Sequence, residues 1–143
     1  MNIIVNIIMV FFGLILEVFW TGIISFLKGK NKKLIGHVSL LMVPLYFIIP
    51  FVYLLVLKLL PGYGIFLRAL VYMVIFFILE YVYGLILKKL GLEAWNYSKK
   101  NKGGIGCYHK YNFQGLITLE YAPVWYVAGI IGEIVYTFAV GIL

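Results

Sequence analysis

A chain of 143 residues that is 64% hydrophobic and only 12% charged has no polar shell to wrap around an apolar core, since a soluble domain is closer to half apolar and a quarter charged. That composition excludes a water-soluble globular domain and makes lipid the natural solvent. The net charge of +7 does not describe a nucleic-acid surface, because the lysines cluster in short stretches between apolar runs, as in cytoplasmic membrane loops.

Four apolar runs follow one another, at about 3–27, 35–60, 65–87 and 116–143. Each reaches the roughly 20 helical residues that cross a hydrocarbon core, and helices satisfy their own backbone there. Short strands of alternating polarity, the mark of a membrane barrel, are missing. The expected fold is all-α. It is a single integral membrane domain over 1–143, a helical bundle of four transmembrane helices, with an interfacial aromatic segment at 88–115 between helices three and four.

The first run lacks a basic leader, is too long for a signal peptide and carries Glu17, so it reads as a retained span. Lys28, Lys30, Lys32 and Lys33 follow it. Span two contains Pro44 and Pro50, each of which removes a backbone donor and is expected to kink the helix. The turn Leu-Pro-Gly-Tyr-Gly at 60–64 is short enough to make spans two and three an antiparallel hairpin. Lys88, Lys89, Lys99, Lys100, Lys102 and Lys110 lie between spans three and four, so ten of the twelve basic residues fall on one side. The positive-inside rule then puts both basic loops in the cytoplasm and both termini outside, in a multi-pass protein of the cell membrane. The 99–110 stretch, rich in Gly and Lys, reads as a mobile solvent loop. In span four, Ala128 and Gly132 are spaced for close helix approach.

All five acids are glutamates, and four belong to the spans or their edges. At about 1.5 Å of rise per residue, Glu17 and Glu80 fall roughly 3 Å and 6 Å past the midpoints of their spans, both toward the cytoplasm. Glu120 opens span four and His37 opens span two at that same side. Ionisable groups in a span are costly and face the bundle interior or a water-filled cavity. Glu17, His37, Glu80 and Glu120 are therefore expected to bound a polar, ligand-binding pocket open to the cytoplasm, with helix-to-helix hydrogen bonding as the plainer alternative. Trp95, Tyr97, Ser98, Asn112 and Trp125 gather donors and acceptors at its mouth, where an interfacial aromatic belt is the plainer alternative. Arg68 and Glu133 fall in the outer half and are expected to form a structural pair.

Several chemistries are absent. There is no Walker loop, no Gly-x-Ser-x-Gly elbow, no His-Glu-x-x-His and no aspartate at all. The single Cys107 makes no internal disulfide. No metal and no cofactor is expected, and neither nucleotide nor nucleic acid is an expected partner.

One set of residues is recognisable as a pattern: Glu80-Tyr81, Gly84, Trp95-Asn96-Tyr97-Ser98, Asn112, Gly115-Leu116-Ile117 and Pro123-x-Trp125, preceded by Glu17 and Gly36-His37. It resembles the ABC-transporter type IV family (CmpB-like), together with the small multi-span animal membrane proteins of the transmembrane protein 229 group, over about residues 13–135. Asn96 stands where that pattern has Asp, and 99–110 looks like an insertion. The resemblance implies the fold and the membrane location, and the family's name implies transport. The expected function is transport or handling of a small molecule or lipid. An intramembrane enzyme acting on a lipid or isoprenoid, with a buried Glu as acid or base and His37 as its partner, is one alternative. A non-catalytic subunit of a membrane complex is the other. Four spans are few for a transporter, so membrane lipids and a homo-oligomer or larger membrane complex are the expected partners.

Overall fold

Four long apolar helices dominate the computed structural model, which describes residues 2–27, 32–98 and 109–142. They are α1 (Ile3–Leu27), α2 (Val43–Leu59), α3 (Ile65–Lys89) and α4 (Ala122–Ile142). With their leading 3-10 turns, Leu40–Met42 and Leu119–Tyr121, all four are long and apolar enough to cross a membrane. Large apolar side chains such as Phe11, Phe19, Phe66 and Phe138 are exposed along them, as a lipid-facing surface requires. The chain is a multi-pass helical membrane protein. Most of the 28–33 lysine cluster and of the 99–110 stretch, Cys107 included, lies outside the described residues.

The helices pack as a ring in which α1 touches α2, α2 touches α3, α3 touches α4 and α4 returns to α1. The two longest, α1 and α3, thus face each other across the bundle. Lipid gives apolar helices no hydrophobic reason to associate, so close packing and interhelical hydrogen bonds hold them. At the end with the 60–64 turn, Gly132 lies under the Tyr53 ring and Gly129 under Tyr72. The Tyr53 hydroxyl donates to the Ala128 carbonyl at 3.2 Å. The small residues of α4 are therefore taken up inside the bundle. Tyr53, Tyr72, Phe76 and Tyr136 complete an aromatic core there.

Arg68 and Glu133 tie α3 to α4 in this half. Arg68 Nε and Nη2 donate to the two Glu133 carboxylate oxygens at 2.8 and 2.5 Å, and the Tyr72 hydroxyl donates to the same carboxylate at 2.7 Å. The bidentate fork satisfies a carboxylate that is only 3% exposed. Arg68 Nη1 also reaches the Tyr63 carbonyl in the turn.

The opposite end departs from the sequence reading. Spans two and four become α-helical only at Val43 and Ala122, not at 35 and 116. Ser39 caps the 3-10 turn before α2, its hydroxyl accepting from Leu41 N–H. Pro44 falls in the first turn of α2, where the missing N–H has no helical partner to lose, so it starts the helix and does not kink it. Pro50 alone lies inside the helix. His37 consequently sits ahead of α2 in a non-helical stretch that doubles back along α1. The Thr21 hydroxyl accepts from His37 N–H at 2.8 Å and donates to the His37 carbonyl at 2.9 Å.

The all-α bundle also carries a small hairpin. β1 (Asn112–Phe113) pairs antiparallel with β2 (Ile117–Thr118), with Asn112 opposite Thr118. Its turn needs two successive left-handed residues, Gln114 (φ 53°) and Gly115 (φ 74°), and Gly supplies the second without strain. Since α2 and α4 start late, there is room beside α1 and α3 at this end. The hairpin and the 90–98 segment fold into that room.

Candidate functional site

The site is assembled from all four helices and the segment folded over them. Glu17 on α1 and Glu80 on α3 lie about 3 Å and 4.5 Å past the centres of their helices, by the helical rise, so two facing helices bring carboxylates to nearly one level. The intervening helices supply donors from their first turns. On α2, the Tyr46 hydroxyl donates to Glu17 Oε2 at 2.5 Å. On α4, the Trp125 indole N–H donates to Glu80 Oε2 at 3.2 Å. A third donor comes from outside the helices, where the Tyr97 hydroxyl bonds Glu80 Oε1 at 2.8 Å. Glu80 is 3% exposed, and the two carboxylates are within electrostatic reach of each other. Burial, then the Glu80 carboxylate, then Tyr121, hold the Tyr97 phenol well above its ordinary range. Tyr97 therefore keeps its proton and acts as a donor.

The segment carrying Tyr97 is held down by backbone bonds. Tyr97 N–H donates to the Gly115 carbonyl at 2.9 Å, and His109 N–H donates to the Tyr97 carbonyl at 3.0 Å. The Trp95 indole donates to the Leu116 carbonyl at 2.8 Å and stacks on Tyr83. Asn112 braces the hairpin, its amide donating to the His109 carbonyl at 2.6 Å and its oxygen accepting from Gly115 N–H at 3.1 Å. Asn96 accepts from both Ser98 N–H and Ser98 Oγ, an Asx-type turn, and its amide donates to Glu93 Oε2 at 3.1 Å, a bond that an Asp could not make. A Cβ on Gly115 would come within 2.7 Å of that Asn96 oxygen. Together these contacts make a lip over Glu80.

Beside the lip, the rings of Tyr97, His109 and Tyr121 meet edge to face, and Trp20 meets Tyr121 in the same way. His109 Nδ1 bonds Glu120 Oε2, and Glu120 Oε1 accepts from Lys110 N–H at 3.1 Å. Glu120 thus belongs to the rim and binds His109; its side chain is partly exposed.

The structure brings Glu17, Glu80, Trp95, Tyr97, Asn112 and Trp125 into one connected assembly. Ser98 sits on its exposed edge, Glu120 is joined through His109, and the His37 residue is exposed. Tyr46, His109 and Tyr121 were missing from the sequence reading. Tyr46 lies one turn into α2 after Pro44, so a correct start for that helix would have put it level with Glu17. His109 gives no comparable signal, because its contacts are to residues brought near by the hairpin.

Glu80 is buried and Glu17 is partly buried. A crevice of about 50 Å³ between the end of α3 and the lip is lined by Gly84, Lys88, Glu93, Trp95 and Gln114, among others. An apolar groove of about 470 Å³ on the outer face is lined by Leu14, Ile15, Val18, Phe19, Ile23 and Leu34. Neither is lined by Glu17 or Glu80. No group of His, Cys, Asp and Glu among the described residues has the arrangement of a metal site.

No curated protein and no solved structure matches this chain. One family model does, over residues 4–141. The match takes in every element of the bundle, the lip and the buried carboxylates, and the chain belongs to the family described as "Putative ABC-transporter type IV".

Proposed function

We propose that the protein transports or handles a small molecule or lipid, with Glu17 and Glu80 as the pair that meets the substrate and the Tyr97 lip as the gate. The carrying observation is the position of the two carboxylates. They come from facing helices and lie near the helix centres, and Glu80 is covered by Tyr97 from a segment that belongs to no helix. A purely structural carboxylate needs no such cover, and an intramembrane ionisable group marks a pathway or site by default. The family's description, which names a transporter, supports the same reading. Ten of twelve basic residues lie in the two loops at the lip end, which supports a lip facing the cytoplasm. Trp125 steadies Glu80, and Trp95, Ser98 and Asn112 shape the lip. Glu120 sets His109, and His37 fixes the approach to α2 through its backbone.

The test is flux in proteoliposomes, followed with a lumenal pH dye and, in parallel, with a fluorescent phosphatidylcholine whose movement between leaflets is read by dithionite. The wild-type chain is expected to support one of the two signals. Glu17→Gln with Glu80→Gln is expected to abolish it while circular dichroism and gel filtration stay unchanged. A signal of wild-type size in the double variant, or no signal of either kind above empty liposomes, contradicts the proposal.

A further inference from the structure

The strap from Leu34 to His37, which doubles back along α1, is pressed against that helix backbone to backbone. A Cβ on Gly36 would overlap the Val18 carbonyl, and one on Gly22 would come within 2.7 Å of the Leu34 carbonyl oxygen. Glycine is the residue that allows such an approach. The two bonds between the Thr21 hydroxyl and the His37 backbone fasten the far end. Leu34 takes a left-handed backbone at φ 55°, which residues with a Cβ rarely adopt, and its side chain is exposed. Strain of that kind persists where the surrounding structure fixes it, and it concentrates at working positions.

Leu34 forms one wall of the apolar groove of about 470 Å³ on the outside of the bundle. The other wall is a stripe of α1, from Leu14 and Ile15 through Val18 and Phe19 to Ile23, at spacings that share a helix face. Ile15, Val18, Phe19 and Leu34 are exposed. From Leu14 to Ile23 the groove rises about 14 Å along α1, close to half of a hydrocarbon core of roughly 30 Å. Since α1 runs from Ile3 to Leu27, the groove begins near the helix centre and ends about one turn before the helix does. It therefore follows one leaflet and not the other. At that end the chain carries charge of one sign. Lys32 and Lys33 directly precede Leu34 and are exposed, Lys28 and Lys30 come before them, and no acid occurs between Glu17 and Glu80.

We propose that this groove binds one anionic phospholipid of the leaflet on the lysine side, with an acyl chain between α1 and Leu34 and the phosphate at Lys32 and Lys33. The groove has the length of a chain in one leaflet, its lining offers nothing to a polar ligand, and the lysines lie at the end where the headgroup of such a lipid sits. Basic side chains beside the membrane surface attract anionic headgroups. A second copy of the chain suits the same face less well, because a two-fold contact between parallel α1 helices would bring the two lysine clusters together. The site lies outside the bundle and uses neither Glu17 nor Glu80, so it stands independently of the transport reading.

The test uses the full chain in detergent and native mass spectrometry, which counts bound lipids and copies of the chain together. Phosphatidylglycerol is titrated against phosphatidylcholine with the same acyl chains. One retained phosphatidylglycerol per chain is expected, held roughly tenfold more strongly than phosphatidylcholine. Leu34→Gly removes one wall of the groove, and a left-handed backbone accepts glycine without strain, so this variant is expected to fold. Its retention of phosphatidylglycerol is expected to fall roughly tenfold. Lys32→Gln with Lys33→Gln is expected to erase the preference and leave phosphatidylcholine retention unchanged. Equal retention of the two lipids by the wild-type chain overturns the proposal and needs no variant to be read. So does retention that Leu34→Gly leaves unchanged, or a preference that the lysine variant leaves unchanged. A lipid-free dimer that comes apart in Leu34→Gly would assign the face to a second copy and overturn the proposal as well.

Discussion

Replacing Arg68 by Met is expected to destabilise the bundle by about 3–5 kcal/mol, the usual consequence of stripping one partner from a buried ion pair. Glu133 would keep only the Tyr72 hydroxyl while remaining almost wholly buried. The link from α3 to the Tyr63 carbonyl would go as well. The loss comes from the carboxylate left behind more than from the pair's own worth, so the double variant Arg68→Met with Glu133→Met should recover most of it. Thermal unfolding in nanodiscs, followed by circular dichroism, reads both variants. A single variant as stable as wild type, or a double variant worse than the single one, would show that the pair does not fasten α3 to α4.

The second large effect is expected at the lip. Trp95→Ala removes a buried ring and its bond to the Leu116 carbonyl, a change that costs about 3–5 kcal/mol in a packed core. The ring stacks on Tyr83, lies over Gly84 and belongs to the buried cluster of this end, with Val10, Leu45 and Tyr46, which is separate from the core of Tyr53, Tyr72 and Tyr136. The cost should therefore appear as local opening. Amide exchange is expected to rise at 94–98 and 112–118, with the core of Tyr53, Tyr72 and Tyr136 unchanged. Trp95→Phe keeps most of the ring and loses the hydrogen bond, so about 1 kcal/mol is expected. Exchange that rises equally along all four helices would mean that the lip has no independent motion and cannot serve as a gate.

The spans were legible because lipid penalises mistakes heavily. A backbone group without a partner, or an acid without a reason, is costly in a membrane, so runs of apolar residues and the few glutamates within them stand out. Glu17 and Glu80 could be placed by counting alone. The starts of α2 and α4 were harder, since Ile35 and Leu116 are as apolar as the residues after them. There the boundary is set by Ser39 as a cap, Pro44 in the first turn, and the hairpin. These signals were available, and Gln114-Gly115 is a turn that composition passes over. The partners of the acids were not legible. Tyr46 looks like any of the chain's twelve tyrosines until helix packing turns it to Glu17. His109 becomes significant only when the hairpin sets it against Tyr97 and Glu120. Asn96 looked like a departure in the sequence; its oxygen makes the turn that an Asp oxygen would make, while its amide bonds Glu93, which an Asp could not do.

The most direct test of the central claim is chemical modification of the buried carboxylates by an apolar carbodiimide, with mass spectrometry locating the adduct and flux measured on the same sample. The adduct is expected on Glu80 or Glu17, with flux falling in step with the labelled fraction and Tyr97→Phe speeding the labelling. Full labelling of Glu80 with flux intact, or adducts confined to the exposed Glu93 and Glu120, would contradict it.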